Sequence, residues 1–168
     1  IGNSFPTLIG APGRLERVAN SAGLIALVDY AHTPDAVSKT LKTVRELGPN
    51  RVISVLGCGG DRDPSKRALM GAALNEGADI PIFTSDNPRS EDANEILSQM
   101  TAGVKLKPTA EIISDRRAAI DRAVALAKPG DLVIILGKGH ETGQEIAGLK
   151  IPFNDRDELI RAIESKND

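Results

Sequence analysis

At 168 residues and 40% hydrophobic residues, the chain has the length of one ordinary domain, able to bury roughly 70% of its unfolded surface without staples. With 2% aromatic residues and a net charge of −2, it offers neither stacking platforms nor a basic footprint, which excludes nucleic acid as the expected partner. Cys58 has no second cysteine to pair with, no apolar run approaches the roughly 20 residues of a membrane span, and no signal-peptide pattern opens the chain, so a reducing cytoplasm and no membrane are expected.

In chain order, residues 1–12 are rich in Gly, Pro, Ser and Thr without a period and read as a linker or lead-in from upstream domains, the chain starting with Ile as a piece of something longer. Residues 13–168 read as a single domain. Residues 13–18 suggest a short edge strand, and 24–28 are a continuous apolar run ending in Asp29, typical of a strand buried on both faces. Thr33-Pro34-Asp35 starts a helix, with Thr as cap and Pro in the first turn, and Ala36, Val37, Leu41, Val44 and Leu47 keep helical spacing until Gly48-Pro49. The unit then repeats as strand 51–56 with helix 64–76, strand 80–84 with helix 92–100, and a short strand 111–113 followed by a helix to 127 capped by Ser114 or Asp115. Strand 132–136 comes last, then a small hairpin over 144–151 turning at Gly148 and a final helix from a cap at Asp155 to about 164. Such alternation predicts a Rossmann-like α/β fold, a three-layer, mostly parallel sheet with helices on both faces and a small C-terminal hairpin.

The loops carry the chemistry. Gly57-Cys58-Gly59-Gly60-Asp61-Arg62-Asp63, Asp86-Asn87-Pro88-Arg89-Ser90-Glu91-Asp92 and Gly137-Lys138-Gly139-His140-Glu141 each follow an apolar β-type run. In an open α/β sheet, loops at the carboxyl ends of strands meet along one edge, where ligands bind. Two guanidiniums, an amide and a carboxylate sharing that edge suit a small substrate bearing both carboxylate and ammonium groups. The first loop is not a dinucleotide fingerprint, because Arg62 stands where a third Gly is needed, and no phosphate-loop pattern occurs anywhere. Alone, it could equally be a tight strand-to-helix turn.

In the second loop Pro88 fixes its φ and Arg89 offers a planar fork for a carboxylate, although the same residues also resemble a solvated helix-leading turn. In the third, the glycines let backbone approach a ligand, Glu141 can take an ammonium, and His140 is either a general base or a structural group. Asp29, Tyr30, His32 and Asp35 flank the junction of the first full strand with its helix, Asp29 and His32 at the cleft edge and Asp35 in the first helical turn. Two His and one Cys in separate loops match no metal-ligand spacing, and no G-x-S-x-G elbow supports a hydrolase.

Taken in order, Gly13-Arg14-x-Glu16, Asp29-Tyr30-Ala31-His32-Thr33-Pro34-Asp35 and the three loops resemble the C-terminal domain of the Mur ligases, from about Gly13 to the end of the chain. The resemblance implies an ADP-forming amide ligation in peptidoglycan precursor synthesis: ATP activates the glutamyl carboxylate of UDP-N-acetylmuramoyl-alanyl-glutamate as an acyl phosphate, which the amine of a diamino acid attacks. It implies small-molecule substrates, partner N-terminal and central domains of the same enzyme that hold most of the ATP and Mg²⁺, a monomer, and no turnover by this portion alone. Carried over by position, Arg62, Asp86, Asn87, Pro88, Arg89, Gly137 and Glu141 would form a meso-diaminopimelate pocket, the Arg of Asp86-Asn87-Pro88-Arg89 marking the type that adds this amino acid. Arg14, Asp29, Tyr30, His32 and Asp35 would meet ATP, and no catalytic residue is assigned. The alternatives are a lysine-adding sibling and a non-catalytic amino-acid or nucleotide-binding module.

Overall fold

Apolar runs of β-branched residues form the sheet, and capped amphipathic segments cover it. The computed structural model describes residues 11–167, so positions 1–10 of the expected linker lie outside the described residues. The strands of the main sheet are β1 (Glu16–Val18), β2 (Ile25–Asp29), β3 (Val52–Cys58), β4 (Ile80–Ser85), β5 (Glu111–Ile112) and β6 (Leu132–Leu136), and their order is β1-β2-β6-β3-β4-β5. β1 pairs antiparallel with β2, and the remaining pairings are parallel. The helices are α1 (Pro34–Arg45), α2 (Arg67–Gly77), α3 (Ala93–Thr101), α4 (Arg116–Leu126) and α5 (Asp155–Asn167), and a separate hairpin pairs β7 (Gly143–Ile146) with β8 (Leu149–Pro152).

Strand period two divides the core. Ile53, Val55, Val133 and Ile135 face α4 and α5, while Val52, Leu56, Leu132 and Ile134 face α1, α2 and α3. The sheet is therefore the middle of three layers, as expected. Side-chain caps set several helix starts: Thr33 accepts from the Ala36 amide, Asp92 from Asn94 and Glu95, and Asp115 from Ala118, each contributing about 1 kcal/mol. Among the described residues no helix is long and apolar enough to cross a membrane.

Among the boundaries that differ from expectation, β1 starts only at Glu16 and α5 runs on to Asn167, and three further differences are informative. β3 runs on through Gly57-Cys58, which pair with Thr84 and Ser85, because β4 is also longer than its apolar run. The segment 64–66 is a 3-10 turn capped by Asp63, and α2 starts at Arg67. Finally, Asp155 is not the cap of α5. Asn154 Oδ1 accepts from the Asp157 amide instead, while Asp155 is fully buried against Arg116.

Candidate functional site

Because β2, β3, β4 and β6 are mutually parallel, the segments leaving their carboxyl ends converge on one edge. A cleft of about 470 Å³ lies there. Among its lining residues are Arg62 from the β3 loop, Asp86, Asn87 and Arg89 from the β4 loop, Gly137 and Glu141 from the β6 loop, and Tyr30 and His32 from the β2 loop. Of the expected amino-acid pocket only Pro88 does not line the cleft. It is buried behind it and its carbonyl accepts from the Glu91 amide at 3.0 Å, shaping the turn.

Lys138 organises the floor. Its side chain is fully buried, and Nζ donates to Asn87 Oδ1 at 2.9 Å and to Glu141 Oε2 at 3.1 Å, with Asp86 at 3.7 Å. Asn87 Oδ1 also accepts from the Glu145 amide, and Nδ2 donates to Glu141 Oε2, so the orientation of the amide is determined. What Asn87 has left to offer a ligand is an N–H. Gly137, at φ +109°, brings backbone so close that a Cβ there would sit 3.0 Å from Asp86 Oδ2.

These contacts set the charges. Burial pushes Asp86 above the usual carboxylate value, and the Arg116 and Lys138 cations offset only part of this. Burial acts on Glu141 in the same direction and is the largest single effect, but the charge and hydrogen bond of Lys138, the Asn87 hydrogen bond and the Arg116 charge together outweigh it and hold Glu141 below its usual value. Cys58, also on the cleft wall, is pushed up to about 12 by burial and stays a thiol.

Arg89 occupies left-handed backbone at φ +55°. Its Nη1 donates to the Gly60 carbonyl at 2.8 Å and its Nε lies 3.4 Å from Glu145 Oε2. Its amide and carbonyl bond to Glu145 and Ala147, which clips the β7–β8 hairpin onto the β4 loop as an isolated parallel bridge. Gln144 completes the junction by donating to Ser85 Oγ and the Asp86 carbonyl.

The residues expected to meet a nucleotide separate. Tyr30 and His32 line the cleft with ring centroids 4.5 Å apart. Arg14 is exposed and outside the lining. The Asp29 carboxylate accepts from the Leu15 and Ala31 amides and the Thr40 hydroxyl, holding a turn rather than facing the cleft. Asp35 is exposed on α1, 3.5 Å from Lys39. His140 is exposed and outside the lining as well.

Sequence reading did not single out Lys138, Glu91, Arg67 or Arg116. Lys138 and Glu91 sit inside the recognised loops, where a signal existed; Arg67 and Arg116 open helices and look like ordinary surface cations until their burial is seen.

Residues 13–139 match the family model described as Mur ligase, glutamate ligase domain. The UDP-N-acetylmuramoyl-L-alanyl-D-glutamate--2,6-diaminopimelate ligase of Streptomyces coelicolor is 51% identical over 159 residues, covering 92% of this chain and 31% of that protein. The ligase of the same name from Lawsonia intracellularis is 47% identical, covering 95% of this chain and 33% of that protein. A solved structure of a ligase of that name superposes with a TM-score of 0.89 at 44% identity, over 97% of this chain and 34% of that one. A Mycobacterium tuberculosis folylpolyglutamate synthase complexed with ADP and AMPPCP matches with a TM-score of 0.60 at 26% identity, over 76% of this chain and 30% of that one. The chain thus spans about a third of the length of the curated relatives it matches.

Proposed function

The chain belongs to the Mur ligase family through its glutamate ligase domain, and from that premise we propose that it is the amino-acid-delivering part of an ATP-dependent ligase that adds meso-diaminopimelate to UDP-N-acetylmuramoyl-alanyl-glutamate. One observation carries the reading: Arg62, Arg89, Asn87, Asp86, Glu141 and Gly137, drawn from separate crossover loops, line a single cleft. Arg62 and the Arg89 fork pair the distal carboxylate of the amino acid, and the remaining N–H of Asn87 hydrogen-bonds it. Glu141, kept ionised by Lys138, takes the distal ammonium together with the Gly137 carbonyl, and Asp86 lies beside them. The other amine is left toward the cleft mouth as the nucleophile.

ATP supplies the activation, making the glutamyl carboxylate an acyl phosphate. This chain contributes by holding the amine in place, since fixing a nucleophile against its electrophile removes much of the entropic barrier. Tyr30 and His32 are the lining residues suited to the nucleotide side. Among the described residues no group of three or more His, Cys, Asp or Glu could hold a metal ion, so the residues here do not fit a Mg²⁺ site and no step is assigned to one. The sequence contains no phosphate loop, and this portion alone is expected to show no turnover.

Lysine lacks the distal carboxylate and would leave the guanidiniums unpaired, which disfavours the lysine-adding alternative. In the full-length enzyme, Arg89→Ala is expected to lower kcat/KM for meso-diaminopimelate by an amount equivalent to about 2–5 kcal/mol, the range for truncating one partner of a charge pair. Steady-state kinetics check this, and a variant that used meso-diaminopimelate as well as its parent would refute the substrate assignment.

A further inference from the structure

We propose that Glu91, braced by Arg67 and latched through Asp61 and Ser90, is a positioning residue that sets the two carboxylate-binding arginines and thereby selects for an amino acid with a second carboxylate. The inference deepens the reading above and rests on it.

Arg62 and Arg89 come from different loops, and each loop carries a non-glycine residue in left-handed backbone at the critical point, Asp61 at φ +52° and Arg89 at φ +55°. Such conformations persist only where the surroundings over-determine them. Glu91 supplies the constraint. Its Oε1 accepts from the Asp61 amide at 2.6 Å and from Arg67 Nη2 at 2.8 Å, and its Oε2 accepts from Arg67 Nη1 at 2.8 Å. Arg67, with a side chain 3% exposed, also donates to the Gly59 carbonyl and to Gln99, so its position is set by the β3 loop and by α3 at once.

The latch is reciprocal. The Asp61 carboxylate accepts from the Ser90 hydroxyl at 2.6 Å and the Ser90 amide at 3.3 Å. The Gly60 amide donates to the Asn87 carbonyl, and Arg89 Nη1 returns a bond to the Gly60 carbonyl. The loops pack so closely at Gly60 that a Cβ there would fall 1.9 Å from the Pro88 carbonyl oxygen. Asp61 immediately precedes Arg62, and Ser90 immediately follows Arg89. Glu91 therefore ties together the two loop backbones that carry Arg62 and Arg89, without being among the residues that line the cleft. It also neutralises Arg67, a cation on the cleft wall that would otherwise compete for the ligand's carboxylate.

The test is steady-state kinetics of the full-length enzyme carrying Glu91→Gln or Ser90→Ala, with Arg89→Ala as internal control. KM for meso-diaminopimelate is expected to rise about tenfold in Glu91→Gln and by a smaller factor in Ser90→Ala, while KM for ATP stays near that of the parent, because misplaced binding groups act on the ligand they hold. The thermal midpoint falls in Glu91→Gln, which leaves the buried Arg67 without its anion, and stays near the parent in Ser90→Ala. Unchanged KM for meso-diaminopimelate in both variants, or a parallel rise for ATP and the amino acid, would overturn the proposal and leave a merely structural role. Should Glu91→Gln fail to fold, the exposed Ser90→Ala variant decides alone. If Arg89→Ala is itself without effect, the substrate reading has failed rather than the positioning role.

Discussion

At the scale of the residue, the site is a set of charges whose states are decided by burial. Asp86 and Glu141 are both carboxylates near Lys138, yet burial leaves the first raised, while Lys138, Asn87 and Arg116 together leave the second lowered. A carboxyl whose pKa in the folded protein lies above its usual 3.8 destabilises the fold as the pH rises past 3.8. Asp86→Asn, which mimics the protonated acid, is therefore expected to be more resistant to urea than the parent at pH 7, with the gap closing as the pH falls to 3.8. Urea midpoints across pH check this, and a variant weaker at neutral pH would refute it. The expected loss of amino-acid use by the same variant would make Asp86 a case of stability given up for binding.

At the scale of the element, the hairpin lies outside the cleft lining and braces the β4 loop that carries Asn87 and Arg89. β7 is docked by Arg89, Gln144 and the Glu145 amide, while Leu149 and Ile151 of β8 stay exposed. Its two-residue turn places Ala147 at φ +49° and Gly148 at φ +78°. Positive φ at both positions is the geometry that favours Asn-Gly, so Ala147 is the strained member. Ala147→Asn is expected to stabilise the protein by about 0.5–1 kcal/mol, read as a higher thermal midpoint with unchanged substrate kinetics. Sequence periodicity indicated a hairpin turning at Gly148, and local turn chemistry was enough for that. The docking of the hairpin onto the Asp86–Arg89 turn was not legible, because its bonds join residues far apart in the chain.

At the scale of the whole molecule, one buried ion pair ties the two helices of one face to the strand ends that carry the site. Arg116 at the start of α4 pairs both oxygens of Asp155 at 2.8 and 2.6 Å and donates to the carbonyls of Ser85 and Leu136, the last residues of β4 and β6. Asp86 and Gly137 follow directly. Removing one partner of a fully buried pair leaves an uncompensated charge, so Asp155→Ala is expected to cost about 3–5 kcal/mol in urea unfolding. A loss below about 1 kcal/mol, the range of exposed pairs, would show that the pair does not carry that load.

The sequence by itself determined the alternation of strands and helices, the cap at Thr33, a cap at Ser114 or Asp115 that the structure places on Asp115, and the loops that hold the polar residues. These follow from periods of 2.0 and 3.6 residues and from turn chemistry, which are properties of neighbours in the chain. Only the tertiary structure decided that Lys138 is buried between Asn87 and Glu141, that Glu91 spans the β3 and β4 loops, that Asp155 pairs with Arg116 rather than capping α5, and that Arg14, Asp29 and Asp35 lie away from the cleft. The physical reason is separation: Lys138 and Asn87 are 51 residues apart and Arg116 and Asp155 are 39 apart. A charge's partner, and so its burial and its protonation, is chosen by the crossovers of the sheet and leaves no period in the chain.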